Sequence, residues 1–362
     1  MNIGFIGLGK LGMDCADVFA ERYSVRGYDI YPRISNSVQI CDTPQQLVEN
    51  SDWIFIAVQT PHAEGYDGSI PSSHMEPRDF GHEAVLEAIG YVNTYANNSK
   101  RVVLISTVLP ATTRREFATV LNKQHQFLYN PYLIAMGSVK WDFANPEMVM
   151  IGTETGDPEE MAELIDIYRP LMKNNPRYVT GTWDECEAIK TFYNTFISAK
   201  VGLANMSQEF AMKIGNIDVD VVTNALAQST MRIMGPKYMT AGMGDAGACH
   251  PRDNIALRWL AQEYDLGYDM FDTIMHAREI QAKNLADFLV DTVESMNPAH
   301  MDIVIHGKAY KPDVSYCIGS YSTLIGHYVA ERGYKIQYLD PRADEQQNVV
   351  EKVVEPCVLL LA

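Results

Sequence analysis

A glycine-rich stretch, Gly242-Met243-Gly244-Asp245-Ala246-Gly247-Ala248-Cys249-His250-Pro251-Arg252-Asp253, delivers a thiol and, four residues later, a carboxylate. Such a loop is poor ground for burying an apolar side chain and good ground for bringing a nucleophile close to a ligand. Pro251 suits a helix first turn, so Cys249 is expected at a helix N-terminus, where a thiolate is favoured. The plain alternative is a packed, inert thiol. A second constellation is Glu187-Ala188-Ile189-Lys190 followed by Asn194. Lys190 and Asn194 stand at i and i+4 and share one helix face. The plain reading of that pair is a solvated surface. A third is the hydroxyl-rich run Ser106-Thr107-Val108-Leu109-Pro110-Ala111-Thr112-Thr113 after an apolar strand.

These groups need a scaffold, and the N-terminus shows what kind. Gly7-Leu8-Gly9-Lys10-Leu11-Gly12 follows the apolar strand Ile3–Ile6 and opens a helix expected over Leu11–Arg22. Strand, glycine turn and helix in that order form the context in which this motif binds a dinucleotide. Gly7 permits the tight turn, Gly9 lets the backbone approach a pyrophosphate, and Gly12 lets helix and strand pack closely. The helix N-terminus then favours the phosphates. Asp29 ends the next strand, 17 residues past Gly12. A carboxylate there accepts hydrogen bonds from ribose hydroxyls and repels a 2′-phosphate, so NAD is favoured over NADP.

Further strands are expected at Ser24–Tyr28, Trp53–Val58, Val102–Ser106, Gln126–Tyr129 and Met148–Ile151. Their near-continuous apolar character suits a parallel sheet covered on both faces, an α/β, doubly wound, Rossmann-type domain. From Asp157 the pattern is helical: Pro158–Leu171, a long helix over Glu185–Ile214 capped by Asp184, then Asp218–Ala227, Arg252–Tyr264 and Met270–Val293. From Met301 it reverts to α/β, with strands at Ile303–Ile305, Lys335–Leu339 and Val358–Leu361 around a helix at Ser322–Glu331. This tail repeats the opening plan of strand, loop, helix and strand ending in Asp, here Asp340. It reads as a smaller Rossmann-like domain that is short or cut off. The expected domains are 1–182, 183–298 and 299–362.

The 362-residue chain is 47% apolar and 21% charged, an ordinary globular composition. With 46 acidic and 29 basic residues it carries a formal charge of −17. That makes a nucleic-acid backbone a poor partner. An anionic substrate would need a local basic pocket. The six cysteines form no C-x-x-C pair and no disulfide framework or metal site is expected. No run of about 18 apolar residues argues for a membrane span, and the N-terminus is unlike a signal peptide. A cytoplasmic protein is expected.

Taken together, the motifs resemble those of the UDP-glucose/GDP-mannose 6-dehydrogenase family over nearly the whole chain, from Met1 to about Pro341. The likeness rests on the glycine motif, Thr60-Pro61 with Asp67-Gly68, the S-T-V-x-P-x-T-T run at Ser106 and Asn130-Pro131 with Gly137. It continues through Asp142-Phe143, Asn145-Pro146, Ile151-Gly152, Lys190 with Asn194, the Cys249 loop and Gly307-Lys308-Ala309-Tyr310-Lys311-Pro312. The resemblance implies oxidation of a sugar CH2OH to a carboxylate with NAD, through a thiohemiacetal and a thioester on Cys249, in the service of polysaccharide biosynthesis. Lys190 and Asn194 would stabilise the oxyanion, and Asp253 and Thr107 would orient water or relay protons. It also implies cofactor contacts from Gly7, Gly9, Lys10, Leu11, Gly12, Asp29, Thr60, Pro61, Ser106 and Thr107. Substrate contacts would come from Tyr132, Lys190, Asn194, Arg232, Tyr238, Gly242, Gly244, Gly247, Tyr310 and Lys311. The implied partners are a nucleotide sugar, UDP-linked by default, and a second copy of the chain packed on the long helix.

The chain departs from the family pattern at named positions. Tyr132 and Met136 stand where the family has acids, the first of them associated with thioester hydrolysis. Thr240 and Ile318 replace a common Lys and Arg, and Arg252 replaces a common Lys. Two other readings stay open: a β-hydroxyacid dehydrogenase, which needs no Cys, and a binding protein with impaired catalysis.

Overall fold

The computed structural model describes residues 1–61, 76, 78–134, 137–235, 249–296, 302–309, 314–344, 346–352 and 357–361; the side chains of 201, 202, 205, 249, 252, 253, 256, 260 and 361 fall outside that description. The chain divides into two compact units, Met1–Lys200 and Val201–Ala362.

The first unit runs β1 (Asn2–Ile6), α1 (Lys10–Ala20), β2 (Ser24–Tyr28), β3 (Gln39–Ile40), α2 (Pro44–Glu49), β4 (Trp53–Ile56), α3 (Glu83–Tyr95) and β5 (Arg101–Leu104). A π-helical turn, Thr113–Phe117, leads through α4 (Ala118–Val120) to β6 (Gln126–Tyr129), α5 (Val139–Ala144) and β7 (Met148–Thr153). A 3-10 turn, Pro158–Met161, then precedes α6 (Ala162–Tyr168) and β8 (Arg177–Thr182). The long helix α7 (Trp183–Ile214) follows, and the division between units falls within it.

The eight strands are ordered β3-β2-β1-β4-β5-β6-β7-β8, parallel except between β6 and β7. Strand alternation sorts the core. Ile3, Phe5, Trp53, Phe55, Val103, Leu128, Val149 and Ile151 face one cluster. Ile6, Ile54, Ile56, Val102, Leu104, Phe127, Tyr129, Met148 and Met150 face the other. Apolar runs without alternation are thus the mark of a sheet buried twice. Phe19 of α1 is fully buried and meets the rings of Phe5, Phe55, Phe143 and Tyr168 at centroid distances of 5.3, 4.9, 5.5 and 5.7 Å. Phe19→Ala is expected to lower stability by about 3–5 kcal/mol, read from the urea midpoint by intrinsic fluorescence.

The second unit holds α8 (Val219–Ala227), α9 (Cys249–Glu263), α10 (Met270–Ser295), β9 (Asp302–His306), α11 (Tyr321–Glu331), β10 (Ile336–Leu339) and β11 (Cys357–Leu361). Its sheet is parallel in the order β10-β9-β11. One stripe of α10, Ala282, Ala286, Leu289, Val290 and Val293, packs on Ile303, Ile305, Ile325 and Val329. No helix among the described residues is long and apolar enough to cross a membrane.

Some expectations are corrected. The helix expected over 158–171 is a 3-10 turn and a shorter α6. The cap of α7 is Thr182, not Asp184. Glu185 N donates to Thr182 Oγ1 at 3.3 Å and Thr182 N donates to Glu185 Oε2 at 2.7 Å, a reciprocal capping box. Asp184 lies inside the first turn and pairs with Arg114 at 2.8 Å. The short elements β3, β8, α2 and α5 carried too little periodic signal to read, whereas α3 shows its helical spacing in the buried Val85, Ala88, Ile89 and Val92 and was missed.

Candidate functional site

The order of the sheet reverses between β1 and β4, and a doubly wound sheet binds ligands at the strand ends flanking such a point. The glycine turn sits there. Gly7 has φ +94°, and a Cβ on it would meet the Ala57 carbonyl oxygen at 2.6 Å. A Cβ on Gly12 would collide with the Gly7 carbonyl, so helix α1 approaches β1 only because that atom is absent. Gly7 N donates to Tyr28 O at 2.9 Å. Leu8 N donates to Asp29 Oδ2 at 2.7 Å and Tyr31 N donates to Oδ1 at 2.8 Å. Asp29 thus holds the turn.

A dinucleotide fits this cradle. A Cβ built on Gly9 meets nothing within 4 Å, so space lies open before the α1 N-terminus. Lys10 is exposed and Leu11 half-buried in the first turn of that helix. Arg33 lies 3.4 Å from Asp29 Oδ2, and its Nε is buried without a partner among the described residues. Asp29→Asn removes the charge and leaves one oxygen for the two main-chain donors, Leu8 N and Tyr31 N. The expected result is a KM for NAD raised about tenfold and a weaker preference over NADP, measured by titrating both cofactors.

The loops after β4 and β5 are stapled together. Ser106 Oγ donates to Val58 O at 2.6 Å, and Thr60 Oγ1 donates to Thr107 O at 2.7 Å. Pro61 O accepts from Gly81 N at 2.7 Å. The hydroxyls of Ser106 and Thr60 are therefore engaged in setting the loop, and what Thr60 fixes is the main chain of Thr107.

Helix α7 presents Glu187, Lys190 and Asn194 at i, i+3 and i+7. Lys190 Nζ donates to Tyr132 O at 2.7 Å, and burial pushes its ammonium pKa down. Asn194 is exposed. Glu187 is fully buried and its Oε1 accepts from Thr113 N at 2.8 Å. Sequence reasoning quoted Glu187 and assigned it nothing; its place three residues before Lys190 was the available signal.

Tyr132 is corrected in part. Its hydroxyl meets Tyr168 OH at 2.7 Å and its ring packs edge-on against Phe143 at 5.2 Å. Tyr168 OH passes the chain to Asn130 Oδ1, and Asn130 Nδ2 donates to Met150 O at 2.5 Å. Burial raises the Tyr132 phenol well above its usual range. Its side chain belongs to the packed layer, and only its carbonyl addresses Lys190.

In the second unit, Cys249 opens α9, as Pro251 suggested. The side chains of Cys249, Arg252 and Asp253 fall outside the description. So do Asp67-Gly68, Met136, Tyr238, Thr240, Gly242, Gly244, Gly247, Tyr310 and Lys311. Arg232 is exposed beyond α8. Cys15, Cys41 and Cys186 are free and buried, Cys317 is buried and Cys357 is half-buried. Burial pushes the Cys186 thiol up to about 12, which suits an inert core residue.

The opening turn recurs after β9. Gly307 has φ +106° and its N donates to Leu339 O at 3.2 Å. Lys308 N and Ala309 N each donate to Asp340 Oδ2 at 2.9 Å. Asp340 does for this turn what Asp29 does for the first.

Asp79, His82 and Glu116 cluster closely enough to suggest a cation site. Glu116 Oε2 meets His82 Nδ1 at 2.7 Å, whereas Asp79 Oδ1 lies 3.8 Å from Nε2. The carboxylates address different ring nitrogens and Arg115 bridges them at 3.1 and 2.6 Å. This arrangement is an ion-pair ring.

Residues 33–172 match the NAD binding domain of the UDP-glucose/GDP-mannose dehydrogenase family, and residues 184–280 match its central domain. The chain is 23% identical over 339 residues to a UDP-glucose 6-dehydrogenase of Rickettsia felis, covering 86% of this chain and 72% of that protein. It is 26% identical over 323 residues to one of Caenorhabditis elegans, covering 84% and 63%. Among solved structures it is similar to a GDP-mannose dehydrogenase from Pseudomonas aeruginosa, with TM-score 0.80, 20% identity and coverage of 94% and 81%. It is also similar to a UDP-glucose dehydrogenase from Pyrobaculum islandicum, with TM-score 0.54, 23% identity and coverage of 100% and 90%. At these identities the solved structures establish the fold.

Proposed function

The chain belongs to the UDP-glucose/GDP-mannose dehydrogenase family, and on that premise we propose that it oxidises the CH2OH carbon of a nucleotide sugar, UDP-glucose by default, to a carboxylate. It is an NAD-dependent oxidoreductase. The balanced reaction consumes one water and two NAD+ per sugar and yields the carboxylate, two NADH and three protons. The observation that carries this reading is the open Gly9 turn held by Asp29, in the same unit as the half-buried Lys190 beside Tyr132 O.

The main chain of Gly7, Gly9 and Gly12, with Lys10 and Leu11 at the α1 N-terminus, would hold the diphosphate. Asp29 would take the ribose, and Thr60, Pro61, Ser106 and Thr107 would line the far end. NAD, when bound, supplies a hydride acceptor for each of the two oxidations. Cys249 Sγ would add to the aldehyde carbon and hold it as a thiohemiacetal, then as a thioester that water releases. A helix N-terminus favours the thiolate this needs. Lys190 and Asn194 would donate to the substrate oxygen as negative charge develops on it. Asp253 and Thr107 would orient the water and move its proton. Tyr132 contributes through its carbonyl, which aims the Lys190 ammonium. Tyr238, Gly242, Gly244 and Gly247 would line the sugar nucleotide, with Arg232, Tyr310 and Lys311 on its anionic and base portions.

Three working parts, 1–182, 183–298 and 299–362, would serve cofactor, thiol and nucleotide. A homodimer through α7 is supported by Phe192, Phe196, Ile197 and Leu203 on that helix, 58, 57, 47 and 44% exposed. The free thiols of Cys15, Cys41 and Cys186 suit a reducing compartment such as the cytoplasm.

The test is NADH formation at 340 nm with NAD+ and a panel of UDP-, GDP- and N-acetylated sugar nucleotides, counting NADH per sugar. Two per sugar is expected. A single stoichiometric burst would mean that the thioester forms and is not hydrolysed. No signal across the panel would remove the reading.

A further inference from the structure

Glu187 of α7, Thr112 and Thr113 of the loop after β5, and Tyr129 of β6 carry buried polar side-chain atoms in the first unit. Glu187 accepts from the main chain of one of these residues and contributes to the electrostatic environment of Tyr129. A fully buried carboxyl group is costly unless its position achieves something a neutral side chain would not. Burial raises its pKa, and only the Thr113 contacts and the Ala111 main chain oppose that rise.

What Glu187 touches is informative. The loop after β5 begins at Ser106 and Thr107, which are stapled to the β4 end through Val58 O and Thr60 Oγ1. It passes Ala111 in the left-handed region at φ +73° and enters the π-helical turn at Thr113. A non-glycine residue there is strained and stays so only where its surroundings dictate it. The far end of the loop is tied to α7 twice: by the buried bond from Thr113 N–H to Glu187 Oε1 at 2.8 Å and by the exposed pair of Arg114 with Asp184 at 2.8 Å. Glu187 lies one helical turn before Lys190, whose Nζ is committed to Tyr132 O.

We infer that Glu187 is a positioning residue: its buried carboxylate ties α7 to the loop after β5 and so keeps Lys190 and Thr107 in register for catalysis. The inference rests on the function proposed above. Glu187 acts through main chain and touches neither cofactor nor substrate.

The test compares the parent with Glu187→Gln and Glu187→Asp. Glutamine keeps an oxygen at the same reach. Aspartate keeps the charge and withdraws the oxygen by one methylene. The readouts are kcat, KM for both substrates, hydrogen exchange at the Thr113 amide and the melting midpoint. Expected for Asp is a kcat at least about tenfold lower, both KM values within about threefold, and faster Thr113 exchange, since small misplacements of reacting groups cost rate before binding. Gln is expected to stay within about threefold of the parent on every count. A lowered midpoint in Asp with parental kcat would show a merely structural tie and overturn the inference. Equal damage in Gln and Asp would overturn it too, because the reach of the oxygen would then not be what the position needs. An active parent with either result refutes the inference alone. A parent inactive on the whole panel removes the proposed function and the role of Glu187 with it, whatever the exchange rates show.

Discussion

Cys249→Ser is expected to lower the NADH yield from two per sugar nucleotide to at most one, with steady-state turnover down by about 10³-fold or more. The first oxidation needs no covalent bond to the enzyme, but the second needs the aldehyde carbon converted to an adduct that can lose a hydride. A thiolate forms that adduct readily at neutral pH, whereas a serine hydroxyl stays protonated without a strong base beside it. The placement of Cys249 at the opening of α9 favours the thiolate, and Pro251 in the first turn lets the helix begin there. NADH counted at 340 nm against sugar consumed reads the result directly. A serine variant that still gave two NADH per sugar would remove Cys249 from the mechanism.

Lys190→Met is expected to lower kcat by about 10²–10³-fold, the usual consequence of removing one donor from a developing oxyanion. The side chain is nearly isosteric, so packing is largely retained. The sign of its pKa shift adds a second result. Burial lowers the Lys190 pKa below the usual lysine value. The ammonium is therefore lost as pH rises through that lowered value, and kcat falls on the alkaline side earlier than an unperturbed lysine would dictate. For folding, the unfolded chain binds the proton more tightly than the folded chain does. Stability thus rises with pH across the window between the two values, and below it the buried charge is a standing cost. Lys190→Met should accordingly sit within about 1 kcal/mol of the parent at pH 7, the lost bond to Tyr132 O offsetting the relief of burying no charge. A variant that unfolds, or one that keeps full kcat, would contradict this role. Lys190→Arg tests geometry: a planar fork replaces a point donor where a single carbonyl is the partner, and only partial recovery is expected.

Much of the molecule follows from neighbouring residues. Unbroken apolar runs such as Trp53–Ile56 required a sheet covered on both faces, and alternation then divided its side chains between two cores. Gly7, Gly9 and Gly12 with Asp29 specified a dinucleotide turn because each role depends on local backbone geometry: a positive φ, an open approach, a missing Cβ. The same logic located Cys249 at a helix start. Other features were beyond local reading. Sequence offered Asp184 as the α7 cap, while the contest between Thr182 and Asp184 was settled by Arg114, 70 residues away in the chain, which claimed Asp184. Tyr132 reads as a substrate contact until Tyr168, 36 residues on, takes its hydroxyl and leaves the carbonyl to Lys190. The hydroxyls of Ser106 and Thr60 close onto each other's loops, a pairing that no local pattern shows. Glu187 and Thr113 are 74 residues apart. Periodicity and turn chemistry act within a few residues, so they decide which elements form and where they begin. The choice of partner for a polar group is made among all the groups the folded chain brings within about 3 Å, and that choice belongs to tertiary structure.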